Sequence, residues 1–333
     1  MIDFSGKRWW YLGISLVLFL IAAVALAIPP RLEPGIEFTS GSSFTLQFNE
    51  KDPGQDGLRQ AMKELGYADT RIQTSSLGYL VRTRELQGAP ALNDSQVIGP
   101  QEIQVGEFDQ IKAGLQDRFG AFKVEDFSTV SSTISTEIAQ NAVVAVAVAS
   151  LAILIYISIA FRRLPKPWRY GSCAIIALLH DAFIVLGLFS ILGKTLGTEV
   201  DTGFITAILT VIGFSVHDTI VVYDRIRENI THDPYIPFEE AVNASLTETL
   251  ARSINTSLVV VLTVVAMLLI GGVTIRNFLI VLLVGIISGT YSSVGIAAQL
   301  LVAWENKDLQ RFWRRLRGGG GGSVSEEAPA ALA

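Results

Sequence analysis

The chain has 333 residues, half of them hydrophobic and 17% charged, with a net charge of −5. Its mean hydropathy of +0.44 is too high for an ordinary soluble protein. The single cysteine, Cys173, excludes an internal disulfide and a thiolate metal cluster.

Six apolar runs reach the length of about 20 residues that a bilayer crossing needs: 9–28, 140–161, 171–192, 203–223, 253–271 and 277–303. Basic residues flank alternate ends. Lys7 and Arg8 precede the first run; Arg162, Arg163, Lys166 and Arg169 join the second to the third. Arg225, Arg227 and Arg252 lie between the fourth and fifth, and Lys307, Arg311, Arg314, Arg315 and Arg317 follow the sixth. The other short loops carry only Lys194 and Arg276. Positive-inside logic places both termini in the cytoplasm of a six-span protein of the cell's inner membrane. Trp9, Trp10 and Tyr11, and Trp168 with Tyr170, read as interfacial anchors. The first run, ending in Ala25-Leu26-Ala27, also invites reading as a cleavable signal. Its apolar core, from Tyr11 to Ile28, exceeds the usual signal core of about 7–15 residues and favours an uncleaved anchor.

Segment 31–136 is polar and separates the first span (1–30) from the other five (137–305). It reads as strand 44–48, helix 55–66, strands 70–75 and 79–85, helix 107–120 and strand 121–130. Leu58, Met62 and Leu65, and then Phe108, Ile111, Leu115 and Phe119, recur at helical spacing. The order βαββαβ predicts a ferredoxin-like α+β domain, extracytoplasmic if the N-terminus is inside. No catalytic constellation occurs in it, which points to recognition or leverage. The end of the chain, 306–333, is a basic segment suited to a lipid surface, then a Gly-rich tail expected to be disordered.

Ionisable residues inside the spans carry the functional signal, because each costs several kcal/mol unless partnered or wetted. His180-Asp181 lies mid-way along the third span, His217-Asp218 in the inner half of the fourth, and Arg252 opens the fifth. Asp218 sits roughly 8 Å inward of its span's centre at 1.5 Å rise per residue, so Asp218 and Arg252 are expected to approach at similar depth. A carboxylate whose proton affinity depends on the distance to a guanidinium is the core of a proton-coupled machine. Ser215, Thr219, Ser253, Asn255, Thr256 and Ser257 supply polar neighbours. The plainer alternative is that these groups only hold helices together, or that Arg252 snorkels. No further ligands accompany the His-Asp pairs, so neither a metal nor a cofactor is expected. The small residues Gly285, Ser288, Gly289 and Gly295 predict close helix packing. Segment 224–251 reads as a connector helix broken at Pro234 and Pro237.

FSVHDTIVVYDRIREN (214–229), ARSINTSLVVVL (251–262), LLHDAFIVLGLFSILG (178–193) and PGIEFTSGSS (34–43) together resemble the SecF family, the smaller partner in the SecD–SecF complex of protein export. The resemblance covers nearly the whole chain. It implies a non-enzymatic subunit of the resistance-nodulation-division superfamily that works with SecD, using the proton motive force, to promote polypeptide translocation. The implied partners are SecD, the SecYEG channel, YidC, the exported polypeptide and membrane lipid, with no nucleic acid. A small-molecule exporter of the same superfamily is the alternative, and the coupling ion, proton or sodium, stays open. The family's proton-linked residues match Asp218 and Arg252, with His217 and Asp181 as lesser members. Motif positions Gly35, Glu37, Phe38, Gly41, Asp224, Arg225 and Asn255 are carried over as structural. Two departures stand out: the loop usually close to GIDFTGG has Glu37 and Ser40 here, and His217 replaces a common Asn.

Overall fold

The computed structural model describes residues 3–48, 52–75, 78–87, 106–162, 164, 166–272 and 275–308. The basic segment and tail anticipated beyond residue 308 lie outside these. Among the described residues, six helices are long and apolar enough to cross a membrane: α1 (Arg8–Ala27), α5 (Ser132–Ala160), α6 (Trp168–Leu196), α7 (Thr202–His232), α8 (Phe238–Ile270), and a sixth that continues from α9 (Arg276–Ser292) through a π turn (Ser293–Ala297) into α10 (Ala298–Glu305).

Between α1 and α5 come the short helix α2 (Ile36–Thr39) and an α/β unit: β1 (Gly41–Phe48), α3 (Gly54–Glu64), β2 (Arg71–Ser75), β3 (Gly78–Thr83), α4 (Glu107–Phe119) and β4 (Phe122–Val130). The sheet order β2-β3-β1-β4, with every pairing antiparallel, is the ferredoxin-like arrangement expected from the sequence. Its core is aromatic. Phe44 meets Phe108 edge-on at 5.1 Å, and Leu58, Met62, Ile111 and Leu115 fill the space between helices and sheet. Leu65 stays at the edge, 36% exposed, lying over Gly114.

Helix packing in the membrane unit follows its small residues. A Cβ at Gly187 would lie 2.3 Å from that of Ala22, so α1 and α6 are in direct backbone contact there. Gly285 and Gly289 of α9 do the same against Val211 and Ser215 of α7. Close approach of this kind lets dispersion hold helices together where lipid removes the hydrophobic driving force. α5 is mostly exposed, while α7 and the sixth span form the interior.

Two sequence expectations change. Five of the six spans outrun their apolar runs, most of all α7 and α8, which continue as a helical hairpin past the apolar part. The break between them falls at 233–237, at the expected Pro234 and Pro237. Tyr170 is not an interfacial anchor: it is 3% exposed and packs inside against Phe161 and Tyr223, with centroids at 5.6 and 5.3 Å. Trp168 remains half exposed, edge-on to Trp304.

Substituting Gly187→Val forces α1 off α6 and destabilises the chain by about 1–3 kcal/mol, the usual overpacking cost. Gly13→Ala on the open face of α1 is neutral or stabilising by up to about 1 kcal/mol. Thermal unfolding of the detergent-solubilised variants checks both.

Candidate functional site

The polar centre of the membrane unit is built around Asp181. The side chain is 1% exposed and accepts hydrogen bonds from three hydroxyls on two neighbouring helices. Ser215 Oγ of α7 donates at 2.8 Å, Ser288 Oγ at 2.7 Å and Ser292 Oγ at 2.6 Å, the last two from α9. His180 Nδ1 lies 3.3 Å from the remaining edge. The cage is possible because Gly289 lets α9 sit against Ser215. Ser288 and Ser292, four residues apart, then present both hydroxyls from one helix face.

The π turn begins at the residue after Ser292. Such turns displace backbone carbonyls from their normal donors and occur often at functional sites. Two side chains supply donors here: Tyr223 Oη to Ala297 O at 3.2 Å, and Gln299 Nε2 to Val294 O at 3.1 Å.

Asp218 is one turn further along α7 than Ser215. It is 2% exposed and faces Ser253 and Ser257 of α8. Among the described residues its Oδ2, Ser253 Oγ and His180 Nε2 are buried without a hydrogen-bond partner. Ser257 continues the polar layer, accepting from Thr290 Oγ1 at 2.6 Å. The two acids thus differ sharply: Asp181 is saturated with donors and Asp218 is not.

Arg252 is not brought to Asp218. α8 directs Ser253 and Ser257 at α7, and a neighbouring helical position points about 100° away. Arg252 is exposed and lines a cavity of about 630 Å³ with Asp224, Glu228 and Glu248. Among the described residues it forms no ion pair. His217 and Asn255 are exposed as well. These residues fall on two polar stripes: Thr202, Thr206, Thr210, Gly213, His217 and Asp224 along α7, and Arg252, Asn255, Thr256 and Thr263 along α8, all exposed.

The remaining motif residues make contacts elsewhere. Asp224 pairs with Arg227 at 2.5 Å, and Arg225 with Glu228 and Glu248, each at 2.5 Å. Gly35 N donates to Val200 O at 2.8 Å, Phe38 packs on the main core, and Glu37 lies beside Gly35. Gly41, at φ 125°, starts β1 with no room for a Cβ beneath Thr83 O. No group of three or more His, Cys, Asp or Glu suited to a metal occurs among the described residues.

Sequence reasoning missed the cage on Asp181. Ser288 was visible as a small residue and Ser292 was not singled out; that both face Asp181 depends on how α6 and α9 cross. The single available signal was Ser-xxx-Ser on one face of an apolar helix.

Comparison with known proteins adds the family context. Residues 110–307 match the family model described as protein export membrane protein SecD/SecF, C-terminal. A protein translocase subunit SecF from Thermobaculum terrenum is 44% identical over 95% of this chain and 98% of its own length. Protein translocase subunit SecDF from Bacillus subtilis is 36% identical over 93% of this chain, which covers 39% of that longer protein. The crystal structure of SecDF from Thermus thermophilus, described as a translocon-associated membrane protein, superposes with a TM-score of 0.74 at 33% identity, over 92% of this chain and 39% of that one.

Replacing one cage hydroxyl, Ser292→Ala, destabilises the chain by about 0.6–1.7 kcal/mol, as for interhelical hydrogen bonds in membranes. Asp181→Ala strands the Ser215 and Ser288 donors and leaves Ser292 only Gly289 O, and costs more. Unfolding midpoints in detergent rank the two variants.

Proposed function

Because the chain belongs to the SecD/SecF family of protein export membrane proteins, we propose that it is a SecF-type subunit that joins a SecD partner and uses the proton motive force to promote polypeptide translocation. The observation that carries this reading is the pair of polar stripes on α7 and α8. Polar side chains do not face lipid over a whole span. A stripe holding His217, Arg252 and Asn255 calls for cover by further helices and water. The relatives in which SecD and SecF are one chain support SecD-type helices as that cover.

In this reading Asp218 takes up and releases the proton. Its carboxylate has an oxygen without a partner, so it gains a donor or a proton when helices shift. Arg252, unpaired among the described residues and near the same depth, moves toward or away from Asp218 and alters its proton affinity. His217 adds a titratable neighbour on the covered face. Asp181 lies one turn nearer the α/β domain, joined to α7 through Ser215, and holds the helices around the site in place.

The orientation follows from the basic flanks: both termini in the cytoplasm, the α/β domain outside, and the chain in the cytoplasmic (inner) membrane. The description of the Thermus thermophilus relative as translocon-associated supports the SecYEG channel as a partner, with YidC as an accessory one and the emerging polypeptide as the substrate on the outer side. No bond-making chemistry is assigned to the chain.

Membrane vesicles containing SecD, the channel and this chain test the reading. With Asp218→Asn, translocation stimulated by an imposed proton gradient falls to the level of vesicles lacking the chain, and Arg252→Ala behaves alike. Full stimulation with Asp218→Asn overturns the reading.

A further inference from the structure

Among the described residues, a charged seam joins the α/β domain to the membrane unit. Strand register sets Arg71 directly opposite Arg82, a like-charge pairing that is unfavourable by itself. Two carboxylates from the membrane unit answer it. Glu33, in the link after α1, pairs with Arg71 at 2.5 Å. Glu199, in the loop between α6 and α7, pairs with Arg82. Glu199 and Arg82 have side-chain exposures of only 6% and 20%. Burial brings the Arg82 guanidinium down to about 10, with Glu37, Asp201 and Glu33 opposing that shift, so it stays charged at neutral pH.

Backbone bonds reinforce the seam. Pro34 and Val200 form a parallel bridge, with Gly35 N donating to Val200 O and Val200 N to Glu33 O, both at 2.8 Å. The loop that receives these contacts is short and capped at both ends. Gly197 ends α6 in the left-handed conformation under the side chain of Gln73. Asp201 caps α7, accepting from Phe204 N at 2.7 Å. Asn277 Nδ2 of α9 donates to Glu199 O at 3.2 Å. Each of the five residues 197–201 is held, Thr198 through its N–H to Leu192 O, so the link between the helices is short and fully engaged.

We propose that the Arg82–Glu199 pair and the Pro34–Val200 bridge form a rigid coupling that carries movements of α6 and α7 into the α/β domain. These two helices bear Asp181 and Asp218, so the seam links the ionisable site to the domain that meets the polypeptide. The coupling stays closed throughout the cycle, because opening it leaves a buried charge without its partner. This inference rests on the proposed translocation function.

The experiment uses the full chain with SecD and the channel in vesicles. Glu199→Gln and Arg82→Gln each lower gradient-stimulated translocation by about 2- to 30-fold, the range for residues that couple two sites, while Asp218-dependent proton uptake persists. The exchange Arg82→Glu with Glu199→Arg recovers translocation over either charge reversal alone. A disulfide between Pro34→Cys and Val200→Cys leaves translocation unchanged and protects it from the Glu199→Gln defect. Unchanged translocation in the single variants overturns the coupling, and so does a disulfide that stops translocation. If Asp218→Asn is also without effect, the functional reading itself fails; if Asp218→Asn abolishes stimulation while Arg82→Gln does not, only the coupling fails.

Discussion

A carboxylate inside a lipid-facing bundle has to be satisfied by the protein itself, and the membrane unit is arranged around that requirement. Asp181 draws Ser215, Ser288 and Ser292 onto itself and so fixes α6, α7 and α9 relative to one another. Gly289 makes the approach possible. The π turn that follows Ser292 then needs donors from Tyr223 and Gln299, which ties the cage to the buried aromatic group of Tyr170, Phe161 and Tyr223 at the opposite end from the α/β domain. Removing the carboxylate therefore disturbs more than one helix contact.

Against that saturated site, Asp218 is poised. It lies one helical turn away, buried, with hydroxyls nearby and one oxygen unmatched. A group that changes protonation during a cycle needs an environment with two acceptable arrangements; a fully bonded cage offers one. In the proposed cycle the contrast divides the labour: Asp181 sets the geometry of the bundle and connects to α7 through Ser215, while Asp218 responds. In the proposed complex with SecD, the polar stripes beside it on α7 and α8 mark where the site is completed from outside this chain. At the other end, in the proposed coupling, the short loop 197–201 passes a tilt of α6 and α7 to the sheet through Arg82 and Glu199.

The architecture was largely legible in the sequence. Runs of about 20 apolar residues report spans directly, and helical spacing of Leu58, Met62, Phe108 and Ile111 reported the domain's core. Asp181, Asp218 and Arg252 were legible as well, since charge in an apolar run is conspicuous. Their partners were not. Which serines meet Asp181 depends on the crossing of α6 and α9, and whether Arg252 faces Asp218 depends on the rotation of α8 about its axis, one residue changing the direction by about 100°. Tyr170 was misjudged because an aromatic at a span's end reads as an interfacial anchor, whereas here the neighbouring Phe161 and Tyr223 enclose it. The pairing of Arg82 with Glu199 joins residues far apart in the chain, and no local pattern announces it.

In the proposed cycle Asp218 changes its protonation state in the assembled complex. Difference infrared spectroscopy on the complex with SecD in oriented vesicles, with and without an imposed proton gradient, tests this directly. The expected result is a carboxylic-acid carbonyl band that rises and falls with the gradient and is absent in Asp218→Asn. A band that is insensitive to the gradient, or that survives in Asp218→Asn, contradicts it.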